Sequence, residues 1–182
     1  MSETDLTEIR ELLETPKPPE LGPGPRAGVQ TQAALNRKMD EIFGRAKCPP
    51  QTQALIRGLI LLWHDHLDAA HAIAQDIPTS DGALIHAIMH RREPDYGNAK
   101  YWFRRVGRHG CFPEIVERVK QLPQSKGDPR IQNELISKGE WDPFAFVDGC
   151  EREESGSGPF KDELRAIQAI ETAALLEWFC SR

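Results

Sequence analysis

Residues Trp63 to His109 read WHDHLDAAHAIAQDIPTSDGALIHAIMHRREPDYGNAKYWFRRVGRH and hold all six histidines of the 182-residue chain. Before this stretch, residues 51–76 run without proline, and Gly58 is their only weak breaker. Ile60, Trp63, Leu67, Ala70 and Ala74 recur at helical spacing, so the pattern predicts one long central helix over 51–76. Ile77-Pro78-Thr79-Ser80-Asp81 stops it and caps the next helix, 82–92. Glu93 to Gly97 is a turn, and a further helix over 97–106 closes at Gly107.

Outward from there the chain keeps breaking into helices. Leu6, Ile9, Leu12 and Leu13 form an apolar stripe in residues 4–14, with Thr4 as the expected N-cap. Five prolines between Thr15 and Gly28 predict an extended linker. Residues 29–43 form a helix with Gly44 as its stop. Proline at a first helical position opens the segments 113–121, 129–138 and 143–149. Glu151 to Gly158 reads as a charged surface loop, and 159–180 as a final amphipathic helix. No segment alternates with period two. The expected fold is all-α, a multi-helix orthogonal or antiparallel bundle built on two central helical hairpins. An acidic helix and linker (1–28) precede a single helical domain (29–182).

Composition narrows the function classes. A formal charge of −5 and a pI near 5.7 make nucleic acid an unlikely partner. No apolar run approaches the roughly 20 residues of a membrane span. Cys48, Cys111, Cys150 and Cys180 are widely spaced with no CxxC pair, which reads as reduced thiols in a cytoplasm.

Leu67-Asp68-Ala69-Ala70-His71 aligns with Tyr96-Gly97-Asn98-Ala99-Lys100, placing two alanines at equivalent points of two helical hairpins. The segment Asn98 to Gly107 resembles the second helix of a tetratricopeptide or Sel1-like unit, with Ala99 at the close contact and Gly107 at the stop. The resemblance covers about 50 residues and implies a non-catalytic scaffold that binds a peptide or protein partner.

Two groups of residues carry chemistry. On the expected 51–76 helix, His64, Asp68 and His71 fall on one side; His86 and His90 share a face of the next helix. Paired histidines on two helices can enclose a divalent metal, with Asp68 or Glu93 completing the set, and the metal would act as Lewis acid or activate water. Without a metal, the histidines serve as acid or base, or simply as packing residues bonded to backbone. The spacing is not an HExxH signature. The second group runs from Arg91 to His109. Arg91, Arg92, Arg104 and Arg105 surround Tyr101 and Trp102, and with His109 they would suit a small anionic molecule. No glycine-rich phosphate loop or nucleophile elbow is present. The leading expectation is a His/Arg-lined pocket for a small anionic ligand, with a divalent metal as an open addition. The acidic segment 1–14 is expected to dock through its leucines and to lay its acids near the 91–108 arginines.

Overall fold

The structure is a computed structural model; it describes residues 1–123, 128–154, 156 and 159–181. Its architecture is all-α. Among the described residues there are ten helices: α1 (Glu3–Glu11), α2 (Gln32–Arg45), α3 (Pro50–Trp63), α4 (Leu67–Ala74), α5 (Ser80–Arg92), α6 (Tyr96–Val106), α7 (Phe112–Lys120), α8 (Pro129–Leu135), α9 (Pro143–Glu154) and α10 (Lys161–Cys180). A two-residue antiparallel hairpin, β1 (Ile136–Ser137) and β2 (Glu140–Trp141), joins α8 to α9. It ends the expected 129–138 helix early. Lys138 and Gly139 both take positive φ (54° and 81°), the backbone a two-residue hairpin turn requires.

The organising element is α5. From Gly82 to Arg92 every residue is buried, so this helix has no solvent face. Ala83, Leu84, Ile85, Ala87, Ile88 and Met89 supply apolar surface all round it, as befits a central helix. It packs against α3, α4 and, most extensively, α6. Ala70 of α4 and Ala99 of α6 are both fully buried. Thr79 starts α5 by accepting from the amide of Gly82. A residue buried on a central helix must find partners for its polar atoms. Four of those residues are polar: His86, His90, Arg91 and Arg92.

The expected 51–76 helix is two helices. The chain leaves α3 at His64 and enters α4 at Leu67, and between them Asp65 adopts a left-handed backbone (φ 67°) that aspartate tolerates better than most residues. The cause is tertiary. The Asp65 carboxylate, fully buried, accepts from the guanidinium of Arg92 at 2.7 Å, from that of Arg26 at 2.6 Å and from the Arg26 amide at 2.9 Å. These charge-assisted bonds outweigh continued helix.

Residues 15–30 form a strap over this break. Proline-rich extended chain cannot satisfy its own carbonyls, and side chains from the body do so instead. Gln168 donates to the carbonyls of Pro19 and Glu20, Arg165 to that of Pro18, and Arg92 to that of Gly22. His64 accepts from the Gln30 amide at Nδ1 and donates from Nε2 to the carbonyl of Leu12. Ile9, Leu12 and Leu21 join the core. Among the described residues no acid of α1 forms an ion pair with the 91–108 arginines. Asp5 and Glu8 pair with Arg45 of α2, because the buried stripe orients α1 along that helix. Ser2, not Thr4, caps α1, in a reciprocal capping box with Asp5.

Other boundaries shift by less. α2 passes through Gly44 to Arg45. α9 reaches Glu154, so the first part of the expected 151–158 loop is its last turn; residues 155, 157 and 158 of that loop lie outside the described residues.

Candidate metal centre

Of the four polar side chains in the buried stretch Gly82–Arg92 of α5, three are engaged by the protein. The Arg91 guanidinium spans the carboxylate of Glu171 on α10, at 3.1 and 2.5 Å, and lies 4.2 Å from the centre of the Phe146 ring. Arg92 bonds Asp65 and the carbonyls of Leu62 and Gly22. His90 sets Nδ1 against Glu93 Oε2 at 3.2 Å, with the Asn98 amide 3.1 Å from Nε2. The two guanidiniums leave only Nε unpartnered, whereas the fourth side chain, His86, makes no hydrogen bond among the described residues. Its Nδ1 is buried and has no hydrogen-bond partner among the described residues.

His86 sits in a group of three imidazoles. His71 of α4 meets His86 edge-on with ring centroids 4.5 Å apart, and His90 at 5.3 Å; His86 and His90, one turn apart on α5, stack at 4.9 Å. One ring nitrogen of each lies within 4.8 Å of those of the other two. A tetrahedral zinc ion spaces its nitrogen ligands about 3.3 Å apart, so small side-chain rotations would close the set around such an ion. His86 and His90 are almost fully enclosed, while His71 is half-buried and marks the side open to solvent. Trp102 of α6 closes the opposite face of His86, stacked on it at 3.9 Å.

The electrostatics suit a metal. Burial, reinforced by repulsion from His71 and His90, lowers the His86 imidazole to about 4. Burial also lowers His90, against the opposing pull of Glu93. Both rings are therefore neutral at pH 7; a cation would take the His86 lone pair directly and would replace the Asn98 amide at Nε2 of His90. Glu93 on His90 Nδ1 is the carboxylate–histidine arrangement that orients a metal-bound imidazole. Three nitrogen ligands with one side open leave a position for water or an anion.

The other residues singled out from the sequence go elsewhere. His64 spends both ring nitrogens on the strap, and Asp68 is exposed; neither joins the three-histidine group, because the break at Asp65 destroys the shared helix face assumed for His64, Asp68 and His71. The 91–109 group is likewise divided. Arg91 and Arg92 are buried in structural ion pairs. Tyr101, Arg104 and Arg105 are exposed, with Arg105 lying over Tyr101 and Trp102. His109 is buried between Asp81 (Nε2 to Oδ1, 2.8 Å) and Cys111 (Nδ1 to Sγ, 3.0 Å). That Cys–His–Asp chain has the connectivity of a nucleophilic site. Burial, however, pushes the Cys111 thiol far up, so it stays protonated and unreactive. Glu93 was legible as an acid three residues after His90. The parts played by Asn98 and Trp102 depend on how α6 crosses α5, which no spacing within either helix reveals.

No protein-family description, curated protein or solved structure matches this chain.

Proposed function

We propose that this protein binds one divalent transition metal through His71, His86 and His90, and that the open side of the site takes water or a small anion as the remaining ligand. The observation that carries the reading is the buried, unpartnered His86 Nδ1 within a convergent group of three imidazoles. An orphaned polar atom on a central helix costs stability unless something occupies the site. Imidazole suits zinc, copper, nickel and iron. When bound, the metal supplies Lewis acidity and a lowered pKa for its water. The protein's own groups orient and enclose: Glu93 holds the His90 ring, and Trp102 seals His86 from water. The four unbridged cysteines support a reducing, cytoplasmic setting. No helix among the described residues is long and apolar enough to cross a membrane.

The test is elemental analysis of the purified protein, followed by cobalt(II) titration of metal-free protein. The expected result is one ion per chain, a tetrahedral cobalt spectrum that shifts with azide, and loss of binding in His86→Ala and His90→Ala with helix content retained. The reading fails if no ion binds at stoichiometric concentration, or if both variants bind cobalt as the parent does.

A further inference from the structure

A further cavity lies apart from the three-histidine group, with His109 on its wall. It is a cleft of about 1140 Å³ between the end of α6, the start of α7 and the β1–β2 hairpin. Phe103, Phe112, Val116 and Phe144 give it an apolar lining. Trp141, at the base of the hairpin, forms part of its wall; the residue is 5% exposed, and its indole Nε1–H has no acceptor among the described residues. An indole nitrogen only donates, so a buried one without an acceptor calls for an oxygen.

The charges of the cleft are unequal in availability. Its three acids are committed. Asp142 caps α9 by accepting from the amides of Phe144 and Ala145, Glu117 pairs with Lys120, and Glu140 with Arg108. Among the described residues, Arg104 and Lys138 have no acidic partner. The formal charges of the lining balance, Arg104, Arg108 and Lys138 against Glu117, Glu140 and Asp142, but the two groups left without an opposite partner, Arg104 and Lys138, are both cations. Gly107 and Gly139, both at positive φ, carry the chain around the two ends of this rim with no side chain to narrow the mouth.

We infer that this cleft binds a small organic carboxylate with a flat aromatic body. The ring system would lie among Phe103, Phe112 and Phe144, where aromatic contacts favour it. The carboxylate would face Arg104 and Lys138, and a turn of the Trp141 indole would bring its enclosed Nε1–H to a carboxylate oxygen. The volume fits such a molecule with its water. This site shares no residue with the histidine group and does not depend on a metal.

The test compares naphthoate with its neutral amide, naphthamide, by isothermal titration of the full chain. The expected result is one naphthoate per chain, with naphthamide about tenfold weaker, as loss of a charge-assisted bond implies. The surface double variant Arg104→Gln/Lys138→Gln, which leaves the core untouched, should weaken naphthoate severalfold and leave naphthamide unchanged. Trp141→Phe should weaken naphthoate at constant stoichiometry. His86→Ala should bind naphthoate normally, which separates this site from the metal centre. Equal affinity for the acid and the amide, an unchanged affinity in the double variant, or no naphthoate binding at millimolar concentration overturns the inference.

Discussion

The imidazole of His86 lies flat on the indole of Trp102, with ring centroids 3.9 Å apart and planes inclined by 14°. This contact couples the candidate metal centre to a chromophore. Copper(II) or nickel(II) bound at His86 would sit within quenching distance of that indole. Titrating either ion into metal-free protein should lower tryptophan emission with a one-to-one endpoint. Trp102→Phe should remove most of the quenching while the ion still binds by equilibrium dialysis. Undiminished quenching in that variant would place the ion elsewhere.

Asp65 is the shared counter-charge of two buried guanidiniums. Removing it leaves Arg26 and Arg92 without their counter-charge in the interior, and breaking a buried pair costs about 3–5 kcal/mol. Asp65→Ala should lower stability by this amount in urea unfolding, with a further penalty because alanine disfavours positive φ. Asp65→Asn keeps the backbone preference but not the charge, and should fall between parent and alanine variant. A loss below about 1 kcal/mol in Asp65→Ala would show that the ion pairs do not hold the break together.

The strap should loosen in acid. Burial holds His64 below its ordinary value of 6.5, and neighbouring Arg26 and His66 push in the same direction. The unfolded chain therefore takes up this proton more readily than the folded one. The contribution of His64 is complete above pH 6.5 and is lost as pH falls from there toward the lower folded value. Protonated Nδ1 can no longer accept from the Gln30 amide. Amides of residues 10–30 should gain exchange, relative to their intrinsic rates, between pH 7 and pH 5. His64→Gln keeps a donor for the Leu12 carbonyl and cannot titrate, so its exchange should not respond to pH.

Gly82 ties the start of α5 to the end of the preceding turn. A β-carbon there would lie 2.2 Å from the Ile77 carbonyl oxygen, a backbone atom that cannot move aside cheaply. Gly82→Ala should cost about 1–3 kcal/mol as an overpacked contact. Since α5 carries His86 and His90, the same change should weaken cobalt binding with all three histidines present. Parent-like stability would mean that the turn relaxes and that α5 is less tightly registered than the structure indicates.

Much of the fold was legible along the chain, because helix signals are local. Apolar residues three and four apart, proline at first turns and Gly107 at a stop each act through their own backbone, and they located most helices to within a few residues. The pairing of His86 with His90 was legible for the same reason: residues four apart on one helix share a face whatever surrounds them. The break at Asp65 was not, since it depends on Arg26 and Arg92, thirty-nine and twenty-seven residues away. Local pattern there favours continued helix, and only buried ion pairing overrides it. Tertiary structure likewise decided that His71 and not His64 joins His86 and His90, and that Arg91 and Arg92 spend their guanidiniums on interior partners. Residue type announces what a side chain can bond; which of its bonds are already spent depends on the partners that folding brings to it.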